Sequence, residues 1–350
     1  MALTISPKIT FNGREALAAL IEDGFVRPAI SRMMQVISGV KAKEQIAFMD
    51  RIYKITKADA GCGTGKQTRT IPMSDKFWNP TPVKAWFEVC EDDIEATFWV
   101  WGTKNGIDRY DLIANQDGYW EQYILEVLQE ALEDDLLRMI FFMDTAADDI
   151  TGGGVLTDGI DITDYTMNDG FWKQAFAIRA GVPDYSITEN ANATYALQDG
   201  LATDRGYQVL KGLYNNADRR LKDKNDLVYL VSGSLFDNRI DEKEAKLLTT
   251  SFERQDQRFR EDVYRSIPII DMGSIWDRWI RADMDNATTW DIPHRAALIS
   301  RSNIVTGFDA ESETNKWTSW YNIDTEKVNA KGAYKIDFHI MRDYLVSLAY

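Results

Sequence analysis

Apolar positions early in the chain keep a helical period that breakers repeatedly interrupt. Ala16, Leu17, Leu20 and Ile21 share one face before Gly24. Pro28 then stands where a first helical turn can begin, followed by Ile30, Met33, Met34 and Ile37, and Gly39 ends that piece. The pattern predicts short helices over about 12–51. From Tyr53 to Trp78 the chain turns polar and carries Gly61, Gly63, Gly65 and Pro72, with Pro80 just beyond. So long a stretch without helical period predicts an extended loop or hairpin. The aromatic and apolar runs Ala85–Glu91 and Ala96–Trp101 read as strands.

Asp117 caps the strongest helical pattern, in which Trp120, Ile124, Val127, Leu128, Leu132, Leu136, Met139, Ile140 and Met143 hold one face. Continued to about Ala147, this helix is roughly 45 Å long. Thr151-Gly152-Gly153-Gly154 breaks it, and the segment from Val155 to Tyr195 reads as irregular. Thr203–Lys222 is helical again, Leu227–Gly233 is a strand buried on both faces, and Asp237–Arg260 is a helical zone. Val263–Asp271 reads as one short strand, and the last strands fall at Ala296–Ile299, Asn303–Thr306 and Tyr334–Met341. No internal repeat is present.

Composition narrows the function. The chain has 350 residues, enough for one large domain or two ordinary ones, and its 45% hydrophobic content is that of a folded protein. A net charge of −15 argues against direct reading of DNA sequence, which draws its affinity from Lys and Arg. Enclosing DNA behind an acidic wall is compatible with that charge. Cys62 and Cys90 cannot build a disulfide framework, no secretory signal precedes them, and no apolar run is long enough to cross a bilayer. A soluble intracellular product is expected, and Asn192-Ala193-Thr194 is then a chance glycosylation match.

The chemical motifs fail on spacing. Gly61-Cys62-Gly63-Thr64-Gly65-Lys66-Gln67 has three residues between its outer glycines and Gln67 where a phosphate loop needs a hydroxyl, and Pro72 follows soon after. A loop tip is the better account. His294 and His339 have no metal-ligand spacing, and Ser232-Gly233-Ser234 is not a nucleophile elbow. Asp158, Asp161, Asp164 and Asp169 lack the ligand spacing of a calcium loop and read as a solvated loop. No catalytic residue, cofactor site or metal site is expected.

The order of elements, with Asp291-Ile292-Pro293-His294-Arg295-Ala296, Asn303-Ile304-Val305-Thr306-Gly307 and Tyr264-Arg265-Ser266-Ile267-Pro268-Ile269, resembles the tailed-phage major capsid proteins of the HK97 fold. The resemblance implies an α+β subunit. Residues 1–52 would be its N-terminal arm and 53–84 its E-loop. Residues 85–154 would be a peripheral (P) domain with its spine helix at 117–148, 155–285 a central axial (A) domain, and 286–350 the returning P-domain and closing strands. It implies self-assembly as pentamers and hexamers into an icosahedral head in the host cytoplasm, with scaffolding, portal and decoration proteins as partners, packaged DNA held non-specifically on the inner face, and no membrane. Gly61, Gly65, Lys66, Pro72, Trp78 and Trp86 are then candidates for inter-subunit contact. Core packing is the equal alternative for Trp78 and Trp86, and for Trp99 and Trp101 nearby. An encapsulin-like cargo shell is the related alternative. An acidic α/β enzyme or carbohydrate-binding protein using the loop at Asp158–Asp169 is the third.

Overall fold

The computed structural model describes residues 28–49, 73–108, 111, 116–178, 184–246, 254–256, 259–309, 318–322 and 327–350. The described residues open with a helical turn, α1 (Pro28–Ser31), and the strands β1 (Gln35–Ser38), β2 (Gln45–Met49), β3 (Met73–Phe77) and β4 (Thr81–Cys90). Two long helices follow, α2 (Glu91–Lys104) and α3 (Gln116–Phe142), then α4 (Phe171–Ile178), β5 (Asp184–Tyr185), α5 (Tyr195–Asp199), α6 (Arg205–Asn216) and α7 (Arg219–Lys222). After β6 (Leu227–Val231) come α8 (Gly233–Ala245), β7 (Arg254–Asp256), β8 (Phe259–Tyr264), β9 (Ile267–Asp271) and α9 (Trp276–Asp283). The chain closes with β10 (Ala296–Ser300), β11 (Ile304–Asp309), β12 (Thr318–Asn322), β13 (Lys327–Ile340) and β14 (Val346–Ala349).

Two sheets organise these elements. One has the order β5-β14-β10-β6-β9-β8-β7. Its centre is apolar on both sides, which is why β6 and β10 read as continuous hydrophobic runs. Val228, Leu230, Ala297 and Ile299 point into a core shared with α3, while Tyr229, Val231, Ala296 and Leu298 point into a second core beneath α6. The other sheet is built on β13, whose 14 residues span roughly 45 Å at about 3.3 Å each. One edge of β13 receives β11 and then β12, and the other receives β4 over ten register positions. β1 joins the far side of β11 in parallel.

The 27-residue helix α3 lies over this arrangement. Leu132, Leu136, Leu137, Met139, Ile140 and Phe141 share a core with Tyr334, Ile336, Phe338 and Ile340 of β13. Each such side chain contributes about 1.5–3 kcal/mol on burial. The helix stops at Phe142, short of Ala147. The Gly170 amide takes the Met143 carbonyl at 2.7 Å, and the Asp144 amide turns to the Tyr165 carbonyl at 3.0 Å. Gly170 can approach so closely because a Cβ there would stand 2.8 Å from the Ile140 carbonyl.

Several expectations are corrected. Ala96–Trp101 lies within helix α2. Phe98 and Trp101, three residues apart, both meet Tyr123 of α3, which a strand cannot arrange. A six-residue aromatic run does not by itself distinguish the two periods. In the segment expected to be helical over 12–51, only α1 is helical among the described residues. Val36 and Ile37 sit in a strand because β11 offers them a partner. Val263–Asp271 is a hairpin of β8 and β9, turned by Arg265 and Ser266 at φ +53° and +62°, the left-handed pair that a tight hairpin requires. Among the described residues the zone from Asp237 is helical to Ala245 and extended in β7 and the start of β8, and the irregular segment after Val155 contains α4. The seven-stranded sheet takes strands from both sides of residue 285.

Candidate assembly surface

The polar stretch after Tyr53 is framed by β2 and β3, antiparallel partners from Gln45 opposite Phe77 to Met49 opposite Met73. Gly61, Gly65, Lys66 and Pro72 lie outside the described residues, as does Cys62. The foot of the hairpin is fastened to β13 at several points. Lys76 Nζ donates to the Ile340 carbonyl, and the Asn79 amide donates to Asp337 Oδ2 at 2.7 Å. Asp337 also accepts from Asn168 Nδ2 at 2.8 Å and lies 3.1 Å from His339 Nε2. Burial raises the Asp337 carboxyl, but His339, Asn168 and the Asn79 amide outweigh it and hold the group below the usual carboxylate range.

The four tryptophans divide by burial. Trp78 is 4% exposed and packs with Val40, Val305 and Met341, so it takes the core alternative and leaves the list of surface anchors. Trp99 and Trp101 are partly buried against the main core. Trp86 is 57% exposed. It sits on the outer row of β4 with Lys84 and Glu88, while Val83, Ala85, Phe87 and Val89 alternate toward the other face. Register places Lys331 of β13 directly opposite Trp86. The alternation at 83–89 was visible in the sequence and could have added Lys84 to Trp86 on the same row. Lys331 could not be found there, because only strand pairing brings it across 245 positions.

The described residues also contain one pairing that resembles hydrolase chemistry. Ser234, at the start of α8, lies 2.7 Å from His294 Nδ1, and His294 Nε2 lies 2.7 Å from the Gln198 carbonyl. A carbonyl accepts only, so Nε2 carries the proton and Nδ1 accepts from Ser234 Oγ. His294 is 0% exposed, and burial holds its pKa below the usual histidine value. Both ring nitrogens are engaged and the ring is buried, an arrangement that ties α8 to the loop before β10. Close by, Asp277 is pushed up to about 7, first by burial and then by the charge of Asp271.

Three of the acidic residues at 158–169 also accept hydrogen bonds from nearby threonines. Asp158 accepts from the Thr151 hydroxyl, Asp161 from the Thr163 amide and hydroxyl, and Asp169 from the Thr145 amide and hydroxyl. Among the described residues no group of three His, Cys, Asp or Glu side chains could hold a metal ion. No described helix is long and apolar enough to cross a membrane.

No family model and no curated protein sequence matches the chain. Solved structures do. A chain of the satellite phage P4 procapsid including size determination (Sid) protein is 11% identical with a TM-score of 0.54, over 96% of this chain and 98% of that one. A chain of Gordonia phage Cozz is 11% identical with a TM-score of 0.47, over 91% and 84%. A chain of the virus-like particle from Pyrococcus furiosus is 10% identical with a TM-score of 0.43, over 96% and 98%. The fold assignment rests on the first of these, whose match extends over nearly the whole of both chains. This chain shares the fold of that procapsid chain, and its mixed helices and sheets make it α+β.

Proposed function

We propose that this chain is the major capsid protein of a tailed double-stranded DNA bacteriophage, assembling as pentamers and hexamers into an icosahedral head around the genome. The observation that carries this reading is the likeness to the P4 procapsid chain over nearly the whole of both chains. Residues 1–52 serve as the arm, 53–84 as the E-loop and 85–154 as the P domain, with α3 as its spine. Residues 155–285 form most of the A domain, and 286–350 return strands to both sheets.

Charge supports a loop that reaches onto a neighbour. Between residues 51 and 72 stand Arg51, Lys54, Lys57, Lys66 and Arg69 against the single acid Asp59, in a chain of net charge −15. A basic loop and an acidic body attract between copies. The loop candidates Gly61, Gly65, Lys66 and Pro72 belong to this contact. Scaffolding, portal and decoration proteins are the expected partners, the DNA is enclosed without sequence reading, and the virion is the site of action. The Ser234–His294 pair, with both ring nitrogens of His294 already bonded within the chain, gives no support to an enzymatic reading.

Negative-stain electron microscopy of the purified chain, alone and from infected-cell lysate, tests the proposal. Closed shells, or rings of five or six subunits, are the expected result. A uniform monomer from both sources overturns it.

A further inference from the structure

Beside the exposed row of β4 stand two cations, Lys84 of β4 and Lys331 of β13, that have no acidic partner among the described residues. Lys84 Nζ stands 4.7 Å and Lys331 Nζ 5.6 Å from the centre of the Trp86 ring. Glu88, the acid of the same row, is already paired with Lys327. Among the described residues no carboxylate lies within ion-pair distance of Lys84 or Lys331. Like charges held side by side across two strands are unfavourable unless something offsets them. Lysines do protect an edge strand from pairing with another chain. That role does not require a large exposed indole between them.

A ligand for this place needs carboxylates for the two ammonium groups and an apolar side chain for the indole. The basic stretch at 51–72 has the wrong sign for it. The loop between α3 and α4 has both features. Asp158, Asp161 and Asp164 are exposed there, beside Val155 at 46% and Ile162 at 38% exposure. No ion pair joins this loop to Lys84 or Lys331 within one chain among the described residues.

We propose that Trp86, Lys84 and Lys331 form a socket for the Asp158–Asp164 loop of a second copy of this chain. This deepens the capsid reading and rests on it. The contact joins two different patches, so it is heterologous and propagates from copy to copy into a ring when the rotation closes. It is distinct from any contact made by the basic loop, because the charges are reversed: here the acidic segment arrives and the cations receive it.

The test uses the full chain, grown with and without nitrogen-15, mixed and assembled. A carbodiimide then joins an amine to a neighbouring carboxylate as an amide, with the lost water taken up as the urea by-product. Mass spectrometry is expected to find mixed-isotope peptide pairs linking Lys84 or Lys331 to Asp158, Asp161 or Asp164. Lys84→Glu with Lys331→Glu is expected to raise the concentration needed for assembly by about tenfold or more. Asp161→Lys with Asp164→Lys is expected to restore it. Trp86→Ala is expected to weaken assembly with an unchanged melting temperature, since the side chain lies outside the core. Shells that form normally from the Lys84→Glu, Lys331→Glu and Trp86→Ala variants, with the lysines joined to other carboxylates or to none, overturn the socket and leave the capsid reading standing. A wild-type chain that forms no oligomer from any source overturns the capsid reading, and the socket with it.

Discussion

The Trp78 ring lies 5.1 Å from the His339 ring, tilted by 56°, and so couples the foot of the hairpin to the closing strand. The room for it comes from Gly307 on β11. A Cβ at Gly307 would stand 2.7 Å from Trp78 Cζ3 and 2.8 Å from Val40 Cγ2. Trp78→Ala is expected to cost about 3–5 kcal/mol as a large-to-small core change. Gly307→Ala is expected to cost about 1–3 kcal/mol as overpacking. Urea unfolding of both variants checks this, and hydrogen exchange in β2 and β3 should rise in both.

Asp277 makes stability depend on pH. Its carboxyl titrates at about 7 in the folded chain because burial and Asp271 disfavour the charge, against the pull of Arg281 and the Ser234 amide. The folded state therefore holds a proton that the unfolded chain releases near the ordinary aspartate value. The resulting stability is complete below that value and is lost as pH rises toward 7. Asp277→Asn removes the loss. The variant is expected to match wild type at about pH 4 and to exceed it by on the order of 2–4 kcal/mol at pH 8. Equal pH slopes for the two proteins in thermal melts would contradict this assignment.

His294 acts in the opposite sense. Burial depresses its pKa, so the folded chain favours the neutral ring. The unfolded chain binds the proton first as pH falls below the usual histidine value, and stability declines from there downward. His294→Gln is expected to flatten that part of the acid limb. Ser234→Ala is expected to cost about 1–2 kcal/mol, because the buried Nδ1 loses its donor. Chemical denaturation between pH 5 and pH 8 reads both effects.

Arg295 holds a strained turn. Ile292 sits at φ +44°, where a β-branched residue is strongly disfavoured. Arg295 Nε donates to the Ile292 carbonyl at 2.7 Å, and Nη2 donates to the Asp291 carbonyl and carboxylate at 2.9 and 3.0 Å. The guanidinium also lies over Phe142, Trp172 and Phe176. Arg295→Leu is expected to cost about 3–5 kcal/mol, and Arg295→Lys to recover little, because one ammonium cannot reproduce the fork. In the Arg295→Leu background, Ile292→Gly is expected to recover about 1 kcal/mol by relieving the backbone. Melting temperatures of the three variants decide it.

Much of the frame was legible in the residues themselves. Leu227–Val231 and Ala296–Ser300 are apolar at nearly every position, and only a strand covered on both faces needs that. The apolar face of α3 declared a long helix. These are local periodicities and spacings, which neighbours in the chain determine. Tertiary structure decided the rest. Ala96–Trp101 became helix because Phe98 and Trp101 found Tyr123, and Gln35–Ser38 became strand because β11 lay open to it. Trp78 and Trp86 lie eight positions apart in similar company, yet one is core and the other surface. Gly307, more than two hundred residues away, makes the space for the first. The parity of β4 along β13 turns the second outward beside Lys331. Burial depends on partners brought together by folding, and a local pattern cannot name a partner that the fold has yet to deliver.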